Sequence, residues 1–156
     1  MKTKIKLAPF WLCIVSSALF FSCNKEKEGT TTKTNTEFLT TGTWKYTACI
    51  ISPAYDYYGD GNSVTDIFAI LKPCEKDDYE VYKTDGIWEY NEGPTKCDAS
   101  FPQVFSDPWR FTANETKLFK GTVEHTIIEL TATTLKLQYS FEDAGITYTE
   151  VDSYSH

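Results

Sequence analysis

From residue 43 onward, apolar and polar residues alternate one for one over most of the chain. The run TWKYTACIIS sets Trp44, Tyr46, Ala48 and Ile50 against Lys45, Thr47, Cys49 and Ile51. DYEVYK (78–83) and GIWEYNE (86–92) follow, with a turn at Asp85-Gly86 between them. PWRFTA (108–113) places Trp109 and Phe111 on one face, KLFKGT (117–122) is short, and HTIIELT spans 125–131. TLKLQYSFED alternates most cleanly, with Leu135, Leu137, Tyr139 and Phe141 opposite Lys136, Gln138, Ser140 and Glu142; GITYTEV (145–151) ends the series. Successive side chains of a strand point to opposite faces, so each run reads as a half-buried strand. SVTDIFAIL (63–71) fits either a strand or a helix. It reads as a helical turn capped by Ser63 or Thr65 that leads to Pro73.

The reading gives eight strands in an all-β domain over residues 37–156. Open edges on so many antiparallel strands invite association, so the sheet is expected to close or double over. The mostly short connections favour a small eight-stranded antiparallel up-and-down barrel, with a two-sheet sandwich as the rival. No segment repeats at a fixed period, which excludes propellers and solenoids.

The first 22 residues follow another pattern. Lys2, Lys4 and Lys6 precede the apolar run LAPFWLCIVSSALFFS, which has the length of a signal-peptide core and is short for a membrane span. Ser22 stands directly before Cys23, and the whole resembles a lipoprotein signal (1–22), in which Cys23 becomes the acylated N-terminus. The alternative is an ordinary secretory signal or an uncleaved anchor. NKEKEGTTTKTNT follows Cys23 without an apolar residue, so 23–36 reads as a flexible tether. Each buried methylene of an acyl chain contributes roughly 0.8 kcal/mol, so two or three chains would hold the protein at a membrane. These features place the protein in a bacterial cell envelope as an outer-membrane lipoprotein. The charged residues directly after Cys23 also read as an export signal to the outer surface.

The longer motifs point to a family. LTTGTWKY (39–46) carries Gly42-x-Trp44 at the start of the first strand, similar to the opening motif of lipocalins, where the tryptophan closes the barrel floor. A GDG loop at 59–61, DIFAILKPCEKDDYEVYKTDG, NEGPTKCDASFPQ and Trp109 follow in order. Together they resemble the lipocalin-like domain of small bacterial surface lipoproteins, over about residues 37–150. The resemblance implies an eight-stranded calyx and a Cys74–Cys97 disulfide, and implies little about a ligand. Two positions depart from the pattern. Tyr58 stands where the family loop often has Asn or Asp. Arg110 is the only arginine in the chain, so the arginine that packs on the first-strand tryptophan in other lipocalins has no clear counterpart.

Charge narrows the partners. The chain carries 15 basic and 22 acidic residues, a net charge of −7, and losing Lys2, Lys4 and Lys6 with the signal takes it to −10. Such a balance disfavours nucleic acid and an electrostatic grip on anionic lipid, which leaves the acyl anchor as the membrane link. It gives no oligomeric state. Cys49, Cys74 and Cys97 remain in an exported, oxidising setting. Cys74 and Cys97 sit at turn-rich borders and Cys49 inside an alternating run, which pairs Cys74 with Cys97; a bridge from Cys49 to either is the alternative.

Candidate chemistry is sparse. The sequence contains no G-x-S-x-G, H-E-x-x-H or phosphate loop, so a binding protein is expected rather than an enzyme. His125 begins a strand with no nucleophile near it in sequence, and His156, at the end of the chain given, reads as mobile. The neighbouring carboxylates Asp77 and Asp78 read as turn residues, one solvated and one on turn backbone. Trp44, Tyr46, Trp88, Trp109, Phe111, Leu137 and Tyr139 are candidate pocket residues for a small apolar or aromatic ligand. The rival reading fills the barrel with these same side chains and leaves its loops to bind protein or glycan. No cofactor is implied, with one exception. Asp56, Asp60 and Asp66 in DYYGDGNSVTD are candidate ligands for calcium, although Tyr58 and Ile67 occupy two of the positions a helix-loop-helix site requires; the alternative is a polar turn.

Overall fold

The computed structural model describes residues 33–112 and 114–156. The signal, the Cys23 lipidation site and the tether up to residue 32 lie outside the described residues.

The elements are α1 (Asn35–Leu39), β1 (Trp44–Tyr55), β2 (Val64–Asp66), α2 (Ile67–Ile70), α3 (Pro73–Lys76), β3 (Tyr79–Tyr82), β4 (Ile87–Asn91), β5 (Val104–Phe111), β6 (Lys117–Lys120), β7 (Val123–Leu130), β8 (Thr134–Asp143) and β9 (Ile146–Ser155). Each strand from β3 to β9 pairs antiparallel with the next, and β9 returns to β1 through Lys45↔Ser155 to Ser52↔Thr149. β1 also pairs with β3 through Trp44↔Glu80, which closes an eight-stranded barrel and removes the sandwich alternative. The short β2 adds to β1 further along, at Ile50↔Asp66 and Tyr55↔Val64.

All eight expected strands are present. SVTDIFAIL divides into β2 and α2, and the N-cap is Asp66, which accepts from Ala69 N at 2.9 Å, in place of Ser63 or Thr65. The helix α1 extends into the span read as tether. Thr34 and Glu37 form a capping box: Thr34 N donates to Glu37 Oε2 at 2.7 Å and Glu37 N donates to Thr34 Oγ1 at 3.1 Å. The most consequential difference is a bulge in β1. The register shifts between Tyr46 and Ala48, so Trp44 and Tyr46 face inward, as expected, but Cys49 and Ile51 take over the inner face after it. Ile50, expected on the same face as Trp44, is 49% exposed.

One end of the barrel is a packed floor. Leu39, Trp44, Tyr82, Trp109, Leu118, Leu135, Leu137 and Tyr154 form one buried cluster, with Phe111, Ile127 and Leu130 against it. The Trp44 indole donates to Leu39 O at 2.8 Å, which ties α1 to the floor. His156 is not a loose end: its ring lies 3.9 Å from the Trp44 ring, and its Nδ1 donates to Thr43 O at 2.7 Å. The imidazole thus packs against the Trp44 indole. A second cluster of Cys49, Ile51, Ile67, Leu71 and Tyr148 packs α2 onto β1 and β9.

Candidate functional site

Between the two apolar clusters, inward positions of β3, β6 and β9 carry charge, and β1 and β4 add aromatic side chains. Alternation along β3 turns Glu80 and Tyr82 inward, with Asp78 in phase just before the strand. On β9 the same alternation turns Glu150, Asp152 and Tyr154 inward. The neighbouring strands supply Tyr46, Trp88, Tyr90 and Lys120.

At the centre, Lys120 Nζ meets Glu80 Oε1 at 2.9 Å, with the two side chains 10% and 4% exposed. The hydroxyls of Tyr82 and Tyr154 donate to Glu80 at 2.6 and 3.1 Å. Burial works against ionisation of Glu80. The Lys120 charge and the hydrogen bonds outweigh burial and hold the carboxyl below its usual range. Lys120 also faces the Trp88 and Tyr154 rings at 5.3 and 5.6 Å.

Beside this pair, Tyr46 donates to Asp152 Oδ1 at 2.8 Å. Cys49 Sγ and an oxygen from each of Glu150 and Asp152 lie within 4.8 Å of one another, the single such group of three among the described residues. Burial, then the Asp152 charge, pushes Glu150 up to about 7. Burial also raises Asp152 and the Cys49 thiol, so the thiol is neutral at pH 7 and is not an activated nucleophile.

Two cavities border this charged band, and Asp152 lines both. The first, of about 230 Å³, is bounded by Tyr46, Tyr57, Leu71, Glu75, Asp78, Tyr79, Glu80, Tyr90, Asp152 and Tyr154. It lies among β1, β3, β4, β9 and the α2–α3 segment. The second, about 380 Å³ and more open, includes Trp88, Asp107, Lys120, His125 and Tyr139.

The wall of the first cavity is braced from outside. The disulfide expected between Cys74 and Cys97 is present, with Cα atoms 5.3 Å apart, and Cys49 is free and buried. It joins α3 to the loop between β4 and β5. In the same loop, Thr95 N donates to Asp77 Oδ2 at 3.1 Å. Gly93 adopts φ +66°, and a Cβ built there would stand 2.4 Å from Asp77 O. The close approach requires glycine. Asp78, the next residue, is thereby fixed in the cavity wall. Of this pair, expected as one solvated and one on turn backbone, Asp77 takes the backbone bond, but Asp78 is not solvated: it is 4% exposed, and one carboxylate oxygen accepts from the Tyr90 hydroxyl.

The expected pocket residues divide. Trp44, Trp109 and Leu137 are buried in the floor, with Phe111 against it. Tyr46 lines the first cavity, and Trp88 and Tyr139 line the second. These side chains form a packed floor beneath a polar, aromatic band. Asp56, Asp60 and Asp66 do not converge as a ligand set. Asp56 accepts from the amides of Asp60 and Gly61 at 3.0 and 2.8 Å, Asp60 accepts from Asn62 N at 3.0 Å, and Asp66 caps α2. Their geometry is that of side chains organising their own turn. His125 Nδ1 donates to Val123 O at 3.2 Å, and its ring faces Tyr139. Burial, then the Lys120 charge, lowers its pKa to about 4, so it is neutral at pH 7.

No protein-family model matches the chain, and no curated protein matches it.

Proposed function

We propose that this chain is an exported, lipid-anchored binding protein of the lipocalin-like kind, which holds a small organic ligand in the first cavity. The observation that carries the reading is the cavity itself, about 230 Å³ that five tyrosines and four carboxylates surround but do not fill. Sites for drug-sized ligands run from about 300 to 1,000 Å³, so the occupant is a smaller molecule. The charged lining selects against a purely apolar guest, because hydrocarbon leaves the buried Asp78 Oδ1 without a donor. The tyrosine rings favour a compact aromatic or apolar body carrying polar groups. Phe101 and Phe105, 55% and 40% exposed, extend from Tyr90 as an aromatic lip, with ring centroids 6.3 Å from Tyr90 to Phe105 and 6.4 Å from Phe105 to Phe101. They fit a guiding surface for the same ligand. The lipid anchor and export are supported by the Cys23 signal, and the lipocalin-like affiliation by Gly42-x-Trp44 together with the closed barrel.

Native mass spectrometry of the full chain, purified in mild detergent, tests the reading. A bound small molecule that disappears when Leu71→Trp fills the cavity is expected. A bare protein mass, together with no thermal shift from a library of small polar aromatics, refutes it.

A further inference from the structure

The four carboxylates of the first cavity are not equivalent. Glu80 is neutralised by Lys120 at 2.9 Å. Asp152 accepts from Tyr46 at 2.8 Å, and Glu75 Oε2 accepts from Lys72 N at 2.7 Å. Asp78 differs: Oδ2 accepts from Tyr90, while Oδ1 is buried with no hydrogen-bond partner. Neither lysine, arginine nor histidine is among the residues that line this cavity. A buried carboxylate oxygen without a donor is an incomplete arrangement.

We infer that the cavity takes an organic ammonium ligand, with Asp78 as its charge partner and the tyrosine rings as its walls. The inference rests on the binding reading above and adds the ligand's chemical class. An N⁺–H donor completes Asp78 Oδ1 with a charge-assisted hydrogen bond. Tyr46, Tyr57, Tyr79, Tyr90 and Tyr154 line the same space, and an aromatic ring attracts a cation through its quadrupole. An anionic ligand meets a lining whose charged side chains are all carboxylates. A neutral alcohol supplies a donor but no charge, and a quaternary ammonium supplies charge but no donor. The expected order is therefore primary ammonium first, with alcohol and quaternary ammonium behind and carboxylate excluded.

Protonation of Asp78 sets a pH dependence. Burial pushes its carboxyl up to about 6; the Tyr90 hydrogen bond opposes this, and the charges of Glu92, Asp77 and Glu75 add to it. The groups around it are Glu75 on α3, Tyr90 and Glu92 on and after β4, Tyr46 on β1, Glu80 on β3, and Asp152 and Tyr154 on β9. Above that pH Asp78 is anionic and the ammonium pair is complete. Below it the proton competes with the ligand, and affinity falls toward a tenfold loss per pH unit.

Isothermal titration calorimetry on the purified full chain, with benzylammonium, benzyltrimethylammonium, benzyl alcohol and benzoate at pH 7.5, tests the inference. Benzylammonium is expected to bind at least tenfold more tightly than benzyl alcohol, and benzoate not to bind. Asp78→Asn, checked for an unchanged near-ultraviolet circular dichroism spectrum, is expected to remove the advantage of benzylammonium over benzyl alcohol. The wild-type pH profile needs no variant: the same advantage is lost between pH 7 and 5. Equal affinities for benzylammonium and benzyl alcohol, preference for benzoate, or an advantage independent of pH overturns the ammonium inference and leaves the cavity as a binding site. Binding of none of the four probes overturns both.

Discussion

Replacing Lys120 by methionine tests whether the Glu80–Lys120 pair organises the barrel interior. Methionine approximates the lysine stem but removes the charge 2.9 Å from Glu80 Oε1, at a carboxylate side chain that is 4% exposed. Breaking a buried pair by removing one partner typically costs about 3–5 kcal/mol, because the remaining charge is left without compensation. The Tyr82 and Tyr154 hydroxyls still donate to Glu80, which places the expected loss near the lower end, about 3 kcal/mol. For a domain of this size that corresponds to a fall in Tm of roughly 10 °C. The pH dependence gives a second readout. In the wild type the Glu80 pKa lies below its unfolded value, so its contribution is fully present above the unfolded value and is lost as pH falls through the folded one. Without Lys120, burial dominates and raises the Glu80 pKa, so the variant's deficit is present at neutral pH and shrinks on acidification as the carboxyl becomes neutral. Urea unfolding of both proteins at pH 7.5 and pH 4.5 measures both effects. A deficit below about 1 kcal/mol at pH 7.5, the range of an exposed ion pair, refutes the reasoning; so does one that grows on acidification.

Three further outcomes are expected. Gly93→Ala forces a Cβ toward Asp77 O at a position with φ +66°, and should lower stability by about 2 kcal/mol or more in thermal melts, whereas Gly59→Ala, in open space, should cost less. Replacing Cys74 and Cys97 by serine opens a loop with a sequence separation of 23, which should cost about 3 kcal/mol in the chain-entropy account; in the unaltered protein, thiol labelling after denaturation should modify Cys49 and neither Cys74 nor Cys97. Cys23→Ala should move the protein from the membrane to the soluble fraction on cell fractionation, and unchanged membrane retention would count against acylation.

Alternation of apolar and polar side chains was enough to find the eight barrel strands, because a strand that buries one face must repeat every two residues. The turn-rich positions of Cys74 and Cys97 likewise anticipated their bridge. The candidate site was far less legible. Asp78, Glu80, Glu150 and Asp152 sit among polar neighbours on strands whose alternation alone suggests that acids face water. Only the closed barrel shows that they share the interior with Lys120 and five tyrosines. A clue was present in β9, where the acids share a phase with Tyr148 and Tyr154 while threonine, serine and Val151 occupy the other. The β1 bulge was equally hidden, since one unpaired residue leaves no mark in composition, yet it exchanges Ile50 for Cys49 on the inner face. Trp44 was expected among the pocket residues and, by resemblance alone, at the barrel floor, while its partner His156 is 112 residues away in the sequence and meets it only in three dimensions. Local periodicity fixes which way a side chain points along its own strand. Whether that direction is core or solvent, and which distant charge waits there, depends on how the strands close around one another.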